Sequence, residues 1–85
     1  MDEVLTTKVI AQIAAVKRIP VESISIDSTF KELAVDSLDA MNLLFALEEQ
    51  LGISIPDEAA NSIHDVRGVV AGVKQILAEQ SGAQS

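Results

Sequence analysis

A lone serine, Ser37, stands between two acids in the run Val35-Asp36-Ser37-Leu38-Asp39, directly ahead of a long amphipathic pattern. A hydroxyl at that place has two uses. It can be first-turn filler behind an Asp36 cap, since Ser and Asp both start helices well. It can also be an exposed handle, because a helix N-terminus presents unpaired N–H groups and a partial positive charge that suit a phosphate ester. Other chemistry is thinly represented. The one histidine, His64, sits between Ile63 and Asp65 at a helix junction, and no G-x-S-x-G elbow surrounds Ser37. A Ser-His-Asp triad is therefore not expected. One His, no Cys and no D-x-D-x-D-G loop make neither a zinc nor a calcium set. Glu48 and Glu49 are adjacent, so they leave a helix in different directions. No catalytic residue and no metal site are predicted.

The elements that must position Ser37 are helical. Leu5, Val9, Ile13 and Val16 recur at helical spacing and place a first helix at about residues 3–16. Pro20 stops it. The stretch that follows alternates in "SISIDST", but a lone strand would have no partner, so a long ordered loop is expected. Ile24, Ile26, Phe30 and Leu33 would pin that loop to the core. The second helix is predicted over residues 37–51, ended by Gly52. Ala40, Leu43, Leu44, Leu47 and Leu51 form its apolar stripe, with Asp39, Asn42, Glu49 and Gln50 facing water. Pro56 and Asp57 open a short helix, "DEAANS". Asp65 caps a last helix striped by Val66, Val69, Val70, Val73, Ile76 and Leu77. Gly68 and Gly72 should each weaken that helix by roughly 1 kcal/mol relative to Ala. The fold class is all-α: an up-down bundle of three long helices plus one short one, with a long loop between helices one and two. One domain is expected over residues 1–85, ordered from about 3 to 78 and frayed from 79 to 85.

The net charge of −7 makes nucleic acid an improbable partner, since phosphate contacts need clustered Lys and Arg. Its distribution is more informative. From Glu32 to Val66 there are eight acids and no Lys or Arg, a face suited to a basic protein surface or to solvent alone. No apolar run is long enough to span a membrane. The acidic start "MDEVLTTKV" is unlike a signal or transit peptide, and the absence of cysteine fits a reducing cytoplasm.

The segment "LAVDSLDAMNLLFALEEQLGISIPDE" resembles the acyl carrier proteins, whose signature is D-S-L followed by an amphipathic helix ending in acids. The likeness runs without a gap from Leu33 to about Ile76 and continues more loosely through Phe30 and the first helix. It implies that Ser37 carries 4′-phosphopantetheine, transferred from coenzyme A by a phosphopantetheinyl transferase, with Asp36 and Leu38 completing the motif. The resemblance also explains the missing cysteine, because the arm would bring the thiol that thioesters need. The implied protein is a monomeric carrier and not an enzyme. It would deliver acyl groups to enzymes of fatty-acid, polyketide or related acyl biosynthesis. Asp36, Asp39, Met41, Glu48, Glu49, Asp57 and Glu58 would meet basic docking surfaces on those partners. Leu44, Leu47, Ile55, Ala60 and Ile63 match the family's acyl-lining positions and serve equally as core.

Three departures stand out. Ala34 replaces the glycine often found two residues before the Asp. The spacing from Phe30 to Leu33 is one residue shorter than in housekeeping fatty-acid carriers and resembles carriers of polyketide, peptide or specialised acyl pathways. Asn42 and Asn61 occupy positions that are often acidic. The competing reading is an acidic helical adaptor without a prosthetic group.

Overall fold

The computed structural model describes residues 2–83. Four α-helices follow one another: α1 (Asp2–Lys17), α2 (Ser37–Leu51), α3 (Asp57–Asn61) and α4 (Val66–Ala83). The loop between α1 and α2 contains one 3-10 turn, Val21–Ser23, directly after Pro20. The expected all-α bundle is therefore present, with α2 spanning the predicted residues. The chain departs from expectation at its end. Residues 79–83 continue α4 where fraying was predicted, as a run of good helix formers interrupted by Ser81 and Gly82 allows. Residues 84 and 85 of that predicted tail lie outside the described residues.

Three chain reversals share one device. Arg18, Ala34 and Gly52 all adopt the left-handed conformation, at φ of 57°, 57° and 67°. Each is followed by an amide that reaches back five residues: Ile19 N–H to the Ala14 carbonyl, Val35 to Phe30, and Ile53 to Glu48. This is the Schellman closure, in which a left-handed residue lets the chain turn while satisfying a carbonyl of the last turn. Glycine usually takes that place because a Cβ is unfavourable there. Only Gly52 follows the preference, and it alone of the three was marked in the sequence as a left-handed helix end.

The α1–α2 loop is itself built from local bonds. Thr29 Oγ1 accepts from the Glu32 N–H at 3.1 Å, and a Glu32 carboxylate oxygen accepts from the Thr29 N–H at 2.9 Å. That reciprocal capping box opens one helical turn, which Ala34 closes. The loop is also fastened to the start of α4. Phe30 N–H donates to the His64 carbonyl at 2.9 Å and Val66 N–H to the Ser28 carbonyl at 3.0 Å, around a single bridge between Thr29 and Asp65. Arg67 adds an ion pair to Asp27. Ile24 is buried, and Ile26, Phe30 and Leu33 pack against the core as expected.

That core is aliphatic. Leu5, Val9, Ile13 and Ala14 of α1 meet Leu43 and Leu47 of α2 and Val66, Val69, Val70, Val73 and Ile76 of α4. α1 packs against both other long helices, which explains why its apolar residues spread around the helix. α3 buries no residue of its own.

Candidate functional site

The first turn of α2 is held by its own side chains. Asp36 is the cap: its Oδ1 accepts from the Asp39 N–H at 2.8 Å, while Asp39 Oδ2 accepts from the Asp36 N–H at 3.4 Å. The cap is thus filled without Ser37, which is exposed as the first residue of the helix. The Asp36 cap is what both readings of Ser37 expect. Asp36 starts the helix, and the serine hydroxyl is left outward at a terminus whose N–H groups and dipole favour an anionic ester.

Asp39 does not face water as expected. Its side chain is only 22% exposed, and Lys17 of α1 donates to its Oδ2 at 2.9 Å. The same ammonium donates to the Ala34 carbonyl at 2.8 Å. The Lys17 hydrogen bond holds the Asp39 carboxyl below its ordinary pKa, aided by the Asp36 N–H and opposed by partial desolvation. Glu48 is also engaged, accepting from the Ile55 N–H at 2.7 Å across the α2–α3 connection. Among the acids expected to meet partners, Asp36, Glu49, Asp57 and Glu58 are exposed, whereas Asp39 and Glu48 are half-buried and spend part of their charge inside the fold.

Beside Ser37 opens a cleft of about 740 Å³ between α2, α3 and the loop ahead of α2. Leu44, Ile55, Ala60 and Ile63 line it, with Ala40 nearer the serine. Leu47 does not. It turns to the other side of α2, has no exposed surface, and belongs to the core. Four of the five predicted acyl-lining residues are therefore brought together, and the fifth is structural. Asn61 and His64 are exposed side chains that also border the cleft.

Two features escaped the sequence reading. Leu38, Met41 and Phe45 are 64%, 52% and 60% exposed, a row of large apolar side chains along α2 beginning next to Ser37. Leu38 and Met41 were singled out, but Phe45 was not. Its spacing from Leu38, two turns along the side away from Leu43 and Leu47, was the available signal. Lys17 carries no local signal, because its contacts lie 17 and 22 residues away in the chain.

The fold thus places an exposed serine at a capped helix start, beside an apolar cleft in a helical bundle. Residues 7–73 match the family described as the phosphopantetheine attachment site. The chain is 43% identical over 75 residues to the acyl carrier protein of Treponema denticola, covering 87% of this chain and 95% of that protein. The acyl carrier protein of Treponema pallidum is 41% identical over the same length and coverage. The crystal structure of an acyl carrier protein from Thermotoga maritima superposes with a TM-score of 0.81 at 27% identity, covering 92% of both chains. The chain belongs to the acyl carrier protein family. It is a phosphopantetheine-bearing carrier of acyl groups and not an enzyme. Proteins of this kind work with a phosphopantetheinyl transferase and with acyl-handling enzymes. No helix among the described residues is long and apolar enough to cross a membrane.

Proposed function

We propose that Ser37 is the attachment point, and that the chain is a cytoplasmic, monomeric carrier whose acyl cargo shelters in the α2–α3 cleft. The observation that supports this best is the division of labour at α2: Asp36 makes the cap, and the exposed Ser37 is left at the mouth of an apolar cleft. The phosphopantetheine arm supplies the thiol that this cysteine-free chain lacks. The protein's own residues do the rest. The Asp36–Asp39 capping box presents the serine, and Leu44, Ile55, Ala60 and Ile63 offer apolar surface that keeps water from an acyl chain. Leu38 and Met41, flanked by Asp36, Glu49, Asp57 and Glu58, present a contact surface for enzymes with basic docking faces.

The test is intact mass after incubation with a phosphopantetheinyl transferase and coenzyme A. The wild-type chain should gain one phosphopantetheine unit and Ser37→Ala none. An acidic adaptor without a prosthetic group would show no gain in either.

As to pathway, two residues support a specialised acyl route, with ordinary fatty-acid elongation as the competing reading. Asn42 and Asn61 are exposed and uncharged, each removing one contact with a basic surface, worth about 0.2–1 kcal/mol. Elongation of a malonyl-loaded carrier by housekeeping enzymes should be slow and should improve in Asn42→Glu/Asn61→Glu. Efficient elongation by the wild type, unimproved by the added acids, would favour ordinary fatty-acid synthesis.

A further inference from the structure

The first turn of α2 is held together internally by bonds between Asp36 and Asp39, which fix its shape but not its place in the bundle. Lys17, in the last turn of α1, supplies an anchor from another helix. Its ammonium donates at 2.8 Å to the carbonyl of Ala34 and at 2.9 Å to Asp39 Oδ2. Those acceptors lie on either side of Ser37, three residues before it and two after. The side chain is only 23% exposed, so the contact is better shielded from water than an ordinary surface pair. Ala34 is moreover left-handed at φ 57°, a conformation that a non-glycine residue keeps only where its surroundings hold it.

We propose that Lys17 is a positioning residue for the modification of Ser37, acting by clamping the Ala34 turn and the first turn of α2 to the end of α1 so that the hydroxyl is presented in one orientation. This rests on the reading of Ser37 as the attachment point. In that reaction the Ser37 oxygen forms a bond to the phosphorus bearing pantetheine. The pyrophosphate P–O bond of coenzyme A breaks, adenosine 3′,5′-bisphosphate leaves, and the hydroxyl proton passes to a base of the transferase. Such an in-line displacement is sensitive to the placement of the attacking oxygen. Lys17 touches neither reactant, so its effect is on orientation.

Lys17 also places a positive charge within the acidic face, and that second effect has the opposite sign. Removing the charge would strengthen attraction to a basic transferase, changing KM in a salt-dependent way. Loss of positioning lowers kcat at saturating carrier and persists at high salt. Steady-state kinetics of a phosphopantetheinyl transferase acting on the full-length unmodified chain separate the two. Lys17→Met should lower kcat by about tenfold, short of the ~100-fold that a 1 Å misplacement can cost. Lys17→Arg, which keeps charge and reach, should recover most of it. Asp39→Asn reads the same contact from the other side, and adding Lys17→Met to it should lower kcat little further. Circular dichroism at the assay temperature would establish that each variant is helical, and Asp39→Asn carries the test if Lys17→Met is not. Unchanged kcat in folded Lys17→Met, or a gain in kcat/KM that disappears with salt, would overturn the inference while leaving the attachment site intact. Failure of the wild type to be modified would overturn both.

Discussion

The two flanks of α2 are built differently. Toward α1 and α4, Leu43 and Leu47 enter a layer in which Val9, Val66 and Val69 have no exposed surface. Toward α3 the same helix borders a cleft of about 740 Å³, and α3 itself buries nothing. Stability is not distributed evenly over a fold, and segments that must open are drawn from its weaker parts. A carrier needs both properties in one small chain. The valine-rich seam between α1 and α4 holds the bundle closed, which leaves the α3 side free to trade packing for room.

The sharpest break of this comparison is a pair of truncations on α2. Leu47→Ala should cost about 2–5 kcal/mol, a large part of the stability of a domain this size. Leu44→Ala, half-buried at the cleft, should cost less than half as much, both read from urea unfolding. Equal losses would mean that the two flanks are packed alike.

A second pair divides the glycines of α4. A Cβ on Gly68 would lie 2.8 Å from Asp65 Oδ1, the oxygen that accepts the Gly68 N–H at 2.7 Å and caps the helix. Gly68→Ala should therefore forfeit about 1 kcal/mol through the cap, which offsets the ~1 kcal/mol that helix propensity would return. A Cβ on Gly72 would meet Ile63 Cδ1 at 3.7 Å, an ordinary contact. Gly72→Ala should gain up to about 1 kcal/mol from helix propensity. The expectation that each glycine simply weakens the helix leaves out the space at Gly68, where a Cβ would press on the capping carboxylate. Equal stabilisation of the two variants in thermal melts would contradict this distinction.

At Ala34 two effects oppose each other. Glycine relieves roughly 1–2 kcal/mol of left-handed strain but forfeits about 0.5–1 kcal/mol of backbone entropy, so Ala34→Gly should be neutral to stabilising, by at most about 1.5 kcal/mol. A destabilised variant would mean that the Ala34 methyl contributes packing that outweighs the strain.

The smallest effect concerns pH. Because the Asp39 pKa is lowered in the fold, its contribution is complete above the ordinary aspartate value of about 3.9 and is lost as pH falls through the lowered one. The stability gap between wild type and Asp39→Asn should be present at neutral pH and shrink as pH falls below the ordinary aspartate value. A gap that ignores pH would show that the Lys17 pair contributes nothing through its charge.

What could be read in the sequence followed from local periodicity and local chemistry. Ser37 to Leu51 were legible as α2 because their spacing, the Asp36 cap and Gly52 agree. Thr29 to Glu32 carried a T-x-x-E capping signal that was passed over in favour of an ordered loop without a helical turn. The left-handed turns at Arg18 and Ala34 lacked the glycine that marks such places. Leu47 was given to the cleft by the family resemblance and to the core by its stripe, and only the packing of α2 between its neighbours divides the two. Lys17 illustrates the harder limit: its partners are distant in sequence, so an apparently uninterrupted acidic stretch acquires a cation only when α1 is packed beside α2.

The comparison between the flanks is tested most directly by locating the acyl chain. Backbone and methyl chemical shifts can be compared between the carrier bearing an unloaded arm on Ser37 and the same carrier bearing an octanoyl thioester. Sequestration in the α2–α3 cleft predicts changes at Leu44, Ile55, Ala60 and Ile63, with Val9, Val69 and Val73 unmoved. Unchanged shifts along the cleft, or changes centred on the α1–α4 seam, would contradict it.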